Sequence, residues 1–336
     1  MSQRSGNGRS VAGHRVVTLC MNPALDIATS TPQVRPTDKL RCAAARYDPG
    51  GGGVNVARVA EVLGAPATAV FPAGGAAGQA VEELLVAEGL AVQRVRIGGP
   101  TRESFTVNDL SADQQYRFVL PGPELTLAEQ TECLLHLRRA AAHAAIVVAS
   151  GSLPPGVPPD FYQQVANVCD ELGAMFVLDT SGGGLRNVNS GVYLLKPSVR
   201  ELRECVGREL LTEAEQLAAA RELVERGAAE CVLVSLGAQG ALLVTRDSAH
   251  RFAPAHVHSV SGVGAGDAMV AGVAVGLTRG WTLTEAVRLG VATGAAMLLT
   301  PGTAPCTRED TERLFAQTAA PVEIDSFADA ERTMGQ

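Results

Sequence analysis

Aromatic residues make up only 4% of this 336-residue chain, with a single tryptophan, so no aromatic platform for stacked bases is available. Basic runs are missing too. The net charge is −7, which argues against nucleic acid as a partner. No apolar stretch reaches membrane-spanning length without a glycine, proline or charge, and no charged-then-apolar leader opens the chain. A cytoplasmic protein without a membrane partner is therefore expected. The seven cysteines (Cys20, Cys42, Cys133, Cys169, Cys205, Cys231, Cys306) contain no C-x-x-C pair, and the six histidines show no ligand spacing. That pattern fits reduced, mostly buried thiols rather than zinc or disulfides. Two nucleotide signatures are also absent. Without G-x-x-x-x-G-K-[ST] the P-loop NTPases are removed, and without G-x-G-x-x-G after the first apolar run a dinucleotide enzyme is disfavoured. Ser152 lies outside any G-x-S-x-G elbow, which counts against a hydrolase triad.

What is abundant is Ala, Val, Leu and Gly, within a hydrophobic share of 46%. That make-up suits helices packed on a parallel sheet. Short apolar runs at Val16–Met21, Ala67–Phe71, Ala145–Ala149, Phe176–Asp179, Tyr193–Lys196 and Cys231–Val234 read as buried strands. Between them, Val54–Leu63, Gly78–Glu88, Leu127–His143, Phe161–Leu172, Arg200–Val206 and Glu213–Arg226 carry apolar residues at helical spacing. Ala268–Thr278 and Leu283–Leu299 read as long buried helices. The alternation predicts an α/β fold with a mostly parallel central sheet covered by helices on both faces. One domain over 15–320 is expected, between a disordered tail over 1–14 and a C-terminal tail over 321–336.

Two segments, about 27–48 and 101–120, break this rhythm. The first carries Pro32, Pro36, Lys39, Arg41 and Arg46 with poor helical periodicity, the second alternates polar and apolar residues, as in Ser104-Phe105-Thr106-Val107, and both read as exposed antiparallel strands. Neither has enough partners to be stable alone, so they are expected to pair into a small projecting sheet, a lid or a dimer surface.

Polar and glycine residues follow five of the strands, at Asn22–Asp26, Ser150–Gly156, Asp179–Gly182, Lys196–Glu201 and Ser235–Gly240, where an open parallel sheet collects ligands. Two glycine motifs stand out. In Gly264-Ala265-Gly266-Asp267 a carboxylate follows a turn that opens a helix, where free amides favour an anion such as phosphate. Asp267 either takes a proton from an attacking hydroxyl or simply caps the helix. In Gly50-Gly51-Gly52-Gly53-Val54-Asn55 four glycines open a second helix, with Asn55 able to bond a polyol.

In order and spacing, these two motifs resemble those of the ribokinase superfamily, in its phosphofructokinase-B branch. Lys39-Leu40-Arg41-Cys42, Gln115-Tyr116-Arg117-Phe118-Val119 and Ser150-Gly151-Ser152-Leu153-Pro154-Pro155-Gly156 are similar to the minor (type 2) bacterial 6-phosphofructokinases. The resemblance covers about Val16 to Phe315. It implies a ribokinase-like fold with a β-sheet lid and ATP-dependent transfer to the C1 hydroxyl of fructose 6-phosphate. Asp267 would be the base, and the Gly264, Ala265 and Gly266 amides would hold the transferred phosphoryl group. Asp26, Gly51, Gly52 and Asn55, with Ser152, would bind the sugar; Lys39, Arg41 and Arg102 would meet its phosphate. Lys196, Ser198, Ser235, Gly237, Gly240 and Ser259, with Gly264 and Gly266, would line the ATP site. Glu201 would place Mg²⁺ through water, and Thr300–Ala304 stands where the family can hold K⁺. The exposed lid strands themselves suggest a homodimer sealed across them.

The chain departs from the family pattern in three places. Ser261 and Gly262 replace Asp and Thr before the glycine turn, Ser198 replaces the Asn of Asn-x-x-Glu, and the Thr300–Ala304 loop is altered. Tagatose 6-phosphate and fructose 1-phosphate remain alternative sugars. A sugar-phosphate-binding regulator without turnover remains an alternative from another class.

Overall fold

Alternate residues of the central strands feed two separate apolar layers, and that alternation fixes the architecture. Val16, Ile146, Val148 and Leu233 face one layer; Val17, Leu19, Val147 and Val232 face the other. The computed structural model describes residues 15–258 and 261–324; the tail expected over 1–14, the chain beyond 324 and Ser259 lie outside them. In chain order the elements are β1 (Val16–Leu19), β2 (Ala24–Thr31), β3 (Arg46–Gly50), α1 (Gly52–Val62), β4 (Ala67–Ala73), α2 (Gly75–Ala87), β5 (Ala91–Arg96), β6 (Arg102–Asp109), β7 (Gln114–Val119) and α3 (Leu127–Ala141). Then come β8 (Ile146–Ser150), α4 (Phe161–Leu172), β9 (Met175–Asp179), α5 (Gly182–Arg186), β10 (Val192–Leu195), α6 (Val199–Val206) and α7 (Glu213–Glu225). The chain continues through β11 (Ala229–Ser235), β12 (Ala241–Thr245), β13 (Ala249–Phe252), α8 (Ala265–Thr278), α9 (Leu283–Met297), α10 (Arg308–Gln317) and β14 (Val322–Glu323).

Ten strands form one sheet in the order β14-β13-β12-β11-β10-β9-β8-β1-β4-β5. From β5 to β11 every pairing is parallel, as the βαβ rhythm predicts. The far edge is antiparallel: β12 and β13 return through short connections, and β14 pairs with β13 after the chain has passed through α8, α9 and α10. Strand order reverses at β1, which lies between β4 and β8. This is the switch point where loops splay apart and leave room for a ligand. Thr126, Ser198, Thr212 and Thr282 each start a helix with a reciprocal capping box to a glutamate three residues on. Each such cap contributes about 1 kcal/mol.

The two rhythm-breaking segments do meet, in a four-stranded sheet ordered β3-β2-β6-β7. Its outer pairs are antiparallel, but the central pair, β2 with β6, is parallel, contrary to the all-antiparallel expectation. Only a parallel pairing lets both strands leave the body in the same direction. Residues 32–45, expected to be strand, are an irregular connection that includes Pro32 and Pro36. Past residue 320, Val322–Glu323 still pairs with β13. All seven cysteines are free, and only Cys42 is fully exposed. No described helix is long and apolar enough to cross a membrane.

Under the site, α8 lies directly on α9. A Cβ added at Gly272 would meet Thr293 Oγ1 and come 2.8 Å from Gly290 Cα, so the two backbones touch where side chains would normally intervene. Gly272→Ala should therefore destabilise the protein by roughly 1–3 kcal/mol through overpacking, despite the better helix former. A denaturant midpoint at or above that of the unaltered protein would contradict the close contact.

Candidate active site

Gly264, in the left-handed conformation at φ 78°, caps α8 and turns the chain into the helix. The first intrahelical bond runs from the Ala268 N–H to the Gly264 carbonyl, 2.8 Å. The amides of Ala265, Gly266 and Asp267 precede it and have no acceptor one turn earlier, which makes this end an anion cradle. Two cavities meet there. One, of about 510 Å³, is lined by Ser235, Gly237, Gly240, Ala265 and Gly266 with apolar residues of α9. The other, of about 250 Å³, is lined by Asp26, Gly51, Gly52, Asn55, Gly264 and Asp267. Gly262 borders both. The helix start thus stands between an apolar-walled space and a polar one, with the Asp267 carboxylate on the polar side.

That carboxylate is held at both oxygens. Asn55 Nδ2 donates to Oδ2 and Ser150 Oγ donates to Oδ1, each at 2.9 Å. Asn55 sits in the first turn of α1, while its own Oδ1 is buried without a partner and is available to a ligand hydroxyl. The charge needs of the polar cavity are evident at Asp26. Burial pushes its carboxyl up to about 6, with Asp48 adding to the rise and Arg102, Arg117 and Arg58 opposing it. Arg102 and Arg117 both line this cavity and give it the cations an anionic ligand needs.

Beneath the cradle, Lys196 is buried and its Nζ lies 3.1 Å from Asp179 Oδ1. A methyl at Gly266 would come 3.5 Å from that ammonium, so the lysine supports the helix start from below. Burial raises the Asp179 carboxyl to about 6, against the pull of Lys196. For Lys196, burial works against the charge, but Asp179, Glu201 and Asp267 outweigh it and hold the ammonium above its ordinary range.

Several assignments differ from the sequence reading. Lys39 and Arg41 lie exposed in the 32–45 connection and do not line the cavity; Arg117 of β7 does. Ser152 accepts from Asn22 Nδ2 at 3.2 Å, whereas its neighbour Ser150 is the one that reaches Asp267. Ser198 and Lys196 do not line the larger cavity. Ser198 instead caps α6, and both its N–H and its Oγ donate to Glu201 Oε2 at 2.8 Å. Serine is a favoured N-cap residue, so this helix start is satisfied without the family's asparagine. Ser259 lies outside the described residues. Ser150, Arg117 and Asp48 were missed because a serine or arginine in an alternating strand carries no mark of which neighbour will face the cavity.

Among the described residues no group of three or more His, Cys, Asp or Glu side chains could hold a metal. Asp179 and Glu201 line neither cavity, Asp179 being paired with Lys196 and Glu201 Oε2 with Ser198, so an ion arriving on a ligand's phosphates would be reached from Glu201 only through water. The 300–304 loop fits K⁺ poorly at two of its carbonyls. Pro301 O accepts from Arg46 Nη2 at 2.9 Å and Thr303 O from Arg58 Nη1 at 2.8 Å, so guanidinium charge already occupies them.

Residues 16–310 match the family described as pfkB family carbohydrate kinase. The chain is 63% identical over 310 residues to the ATP-dependent 6-phosphofructokinase isozyme 2 of Mycobacterium tuberculosis H37Rv, covering 92% of this chain and 91% of that protein. The Escherichia coli K12 protein of the same description is 41% identical over 307 residues, covering 90% and 98%. Among solved structures, phosphofructokinase-2 from Escherichia coli in complex with fructose-6-phosphate superposes with a TM-score of 0.83 at 40% identity, covering 90% of this chain and 98% of that one. The potassium complex of that enzyme gives a TM-score of 0.85 at the same identity and coverage. With the family match over residues 16–310 and 63% identity to a relative over nine-tenths of its length, the chain belongs to the pfkB family of carbohydrate kinases.

Proposed function

We propose that the protein is an ATP-dependent 6-phosphofructokinase, making fructose 1,6-bisphosphate and ADP from fructose 6-phosphate. One observation carries this reading: Asp267 stands at the junction of two cavities, on the side lined by Arg102 and Arg117. The larger cavity suits a nucleotide, with its apolar α9 wall for a base and its Gly237 and Gly240 turns for the ribose and phosphates. The smaller suits a phosphorylated sugar, with Asp26 and Asn55 for hydroxyls and the two arginines for the phosphate already present. A free-sugar kinase would have no use for that pair of cations.

The chemistry follows from the geometry. Asp267 takes the proton of the C1 hydroxyl as that oxygen attacks the γ-phosphorus in line, and the bond to the ADP oxygen breaks without a phosphoenzyme. The Gly264–Gly266 amides meet the charge spread over the phosphoryl oxygens. Mg²⁺ would travel with the nucleotide and neutralise its phosphates, with Glu201 holding it through water. The free thiols and the ATP requirement fit a cytoplasmic setting. A homodimer through the small sheet is part of the same reading, because Tyr47, Ile27, Phe105 and Phe118 stand opposite one another across its four strands, with Tyr47 and Phe118 exposed.

Coupled ADP release should be fastest with fructose 6-phosphate and weaker with tagatose 6-phosphate or fructose 1-phosphate. Asp267→Asn should lower kcat by on the order of a thousandfold while substrate affinities stay within a few-fold. Release no faster than ATP hydrolysis by water would favour the regulator instead.

The raised Asp26 carboxyl gives a stability signature. Its folded value of about 6 exceeds the ordinary 3.8, so the folded state binds the proton more tightly, and stability falls as pH rises through that window. Asp26→Asn removes this loss. Its melting temperature should exceed that of the unaltered protein at about pH 8, the gap should close near pH 4, and KM for the phosphosugar should rise roughly tenfold. A variant less stable at the higher pH would show that the buried charge is compensated.

Light scattering at micromolar concentration should give twice the chain mass, and Phe118→Asp should shift it to one. A monomer before substitution would exclude pairing through the sheet.

A further inference from the structure

Ser150 is 1% exposed, at the last position of β8, and among the described residues its hydroxyl hydrogen-bonds to the Asp267 carboxylate alone. A buried hydroxyl spent wholly on one carboxylate oxygen calls for an explanation. Its surroundings are unusually fixed. The next residue, Gly151, has its carbonyl taken by both Tyr162 Oη and Thr180 Oγ1 at 2.9 Å, and its N–H donates to the Asp179 carbonyl at 2.9 Å. Tyr162 itself is fully buried. The strand end that carries Ser150 is therefore locked before any ligand arrives.

The glycine motif of α1 serves the same contact. A Cβ built on Gly52 would overlap Ser150 Oγ and come 2.8 Å from the Ser150 carbonyl carbon and 2.9 Å from the Gly151 nitrogen. The loop passes so close to β8 that only glycine leaves the hydroxyl its path to Asp267. Asn55, three residues on, supplies the donor to the other oxygen.

We infer that Ser150 is a positioning residue for the reaction proposed above, aiming the Asp267 carboxylate at the acceptor hydroxyl together with Asn55, and that Gly52 is glycine to make room for it. The inference rests on Asp267 being the base. With Oδ1 fixed by a donor on the rigid sheet, the carboxylate cannot rotate about its terminal bond. The acceptor hydroxyl then finds an oxygen lone pair in place, and the entropy of aiming it is removed before the chemical step.

The test is a double-mutant cycle read by steady-state and single-turnover kinetics. Ser150→Ala should lower kcat about 10-fold to 100-fold, the worth of a hydrogen bond to a charged group, with KM for both substrates within about 2-fold. Ser150→Cys, which keeps the volume and weakens the donor, should fall between the two and show that loss of packing is not the cause. In an Asp267→Asn background, Ser150→Ala should cost nothing further, because the group it aims is gone. Equal losses in both backgrounds, or an unchanged kcat for Ser150→Ala, would overturn the positioning role. If Asp267→Asn alone kept its turnover, the base assignment would fail, a result separable from either of those.

Discussion

Everything in this site depends on one carboxylate being reached by two donors from different parts of the chain. Asp267 opens α8, Asn55 opens α1 and Ser150 ends β8. Their positions in the sequence are far apart, and only the switch point at β1 brings the three ends together. The interaction is short-range and directional, so it constrains the packing of two helices and the sheet at once. Close contact between α8 and α9 then follows from the need to seat α8 at that depth, and small residues such as Gly272 and Gly290 permit it.

Electrostatics divide the site between two tasks. In the smaller cavity Arg102 and Arg117 share the lining with Asp26 and Asp48 and leave cationic charge for the phosphorylated ligand proposed there. Beneath the helix start the charge is already balanced, since Lys196 and Asp179 form a buried pair. A buried pair of this kind adds little net stability, because desolvation offsets the attraction. Its value is in holding the cradle at a fixed height while the phosphates come and go.

Much of this was legible in the residues. Strands such as Ala67–Phe71 and helices such as Phe161–Leu172 announce themselves through apolar spacing, and the Gly264–Asp267 turn announces its helix start. β5 and β12 were harder to see. The first, Ala91–Arg96, is a half-exposed edge whose alternation is diluted by arginines, and the second belongs to an antiparallel return that the βαβ rhythm gives no reason to expect. At the site, residue type was read correctly where the backbone demands it, as at Gly52 and Gly264. It was read less well where only a side chain's direction matters. Ser150 and Ser152 look alike in sequence, but β8 ends at Ser150 and the chain turns at Gly151, with φ 109°, so that Ser152 meets Asn22 instead of Asp267. Lys39 and Arg41 lie away from the cavity of their own chain, in a segment with no regular register to aim them.

The contact between Arg46 and Pro301 has a mechanical meaning. Arg46 belongs to β3, one border of the small sheet, and its guanidinium grips the loop beyond α9 while also pairing with Asp48. At the opposite border, β7 is exposed along its whole length. Asp26, on the strand beside that anchored edge, is thereby tied to the loop beyond α9 through β3, whereas Arg117 on β7 stands two strands further from the tie.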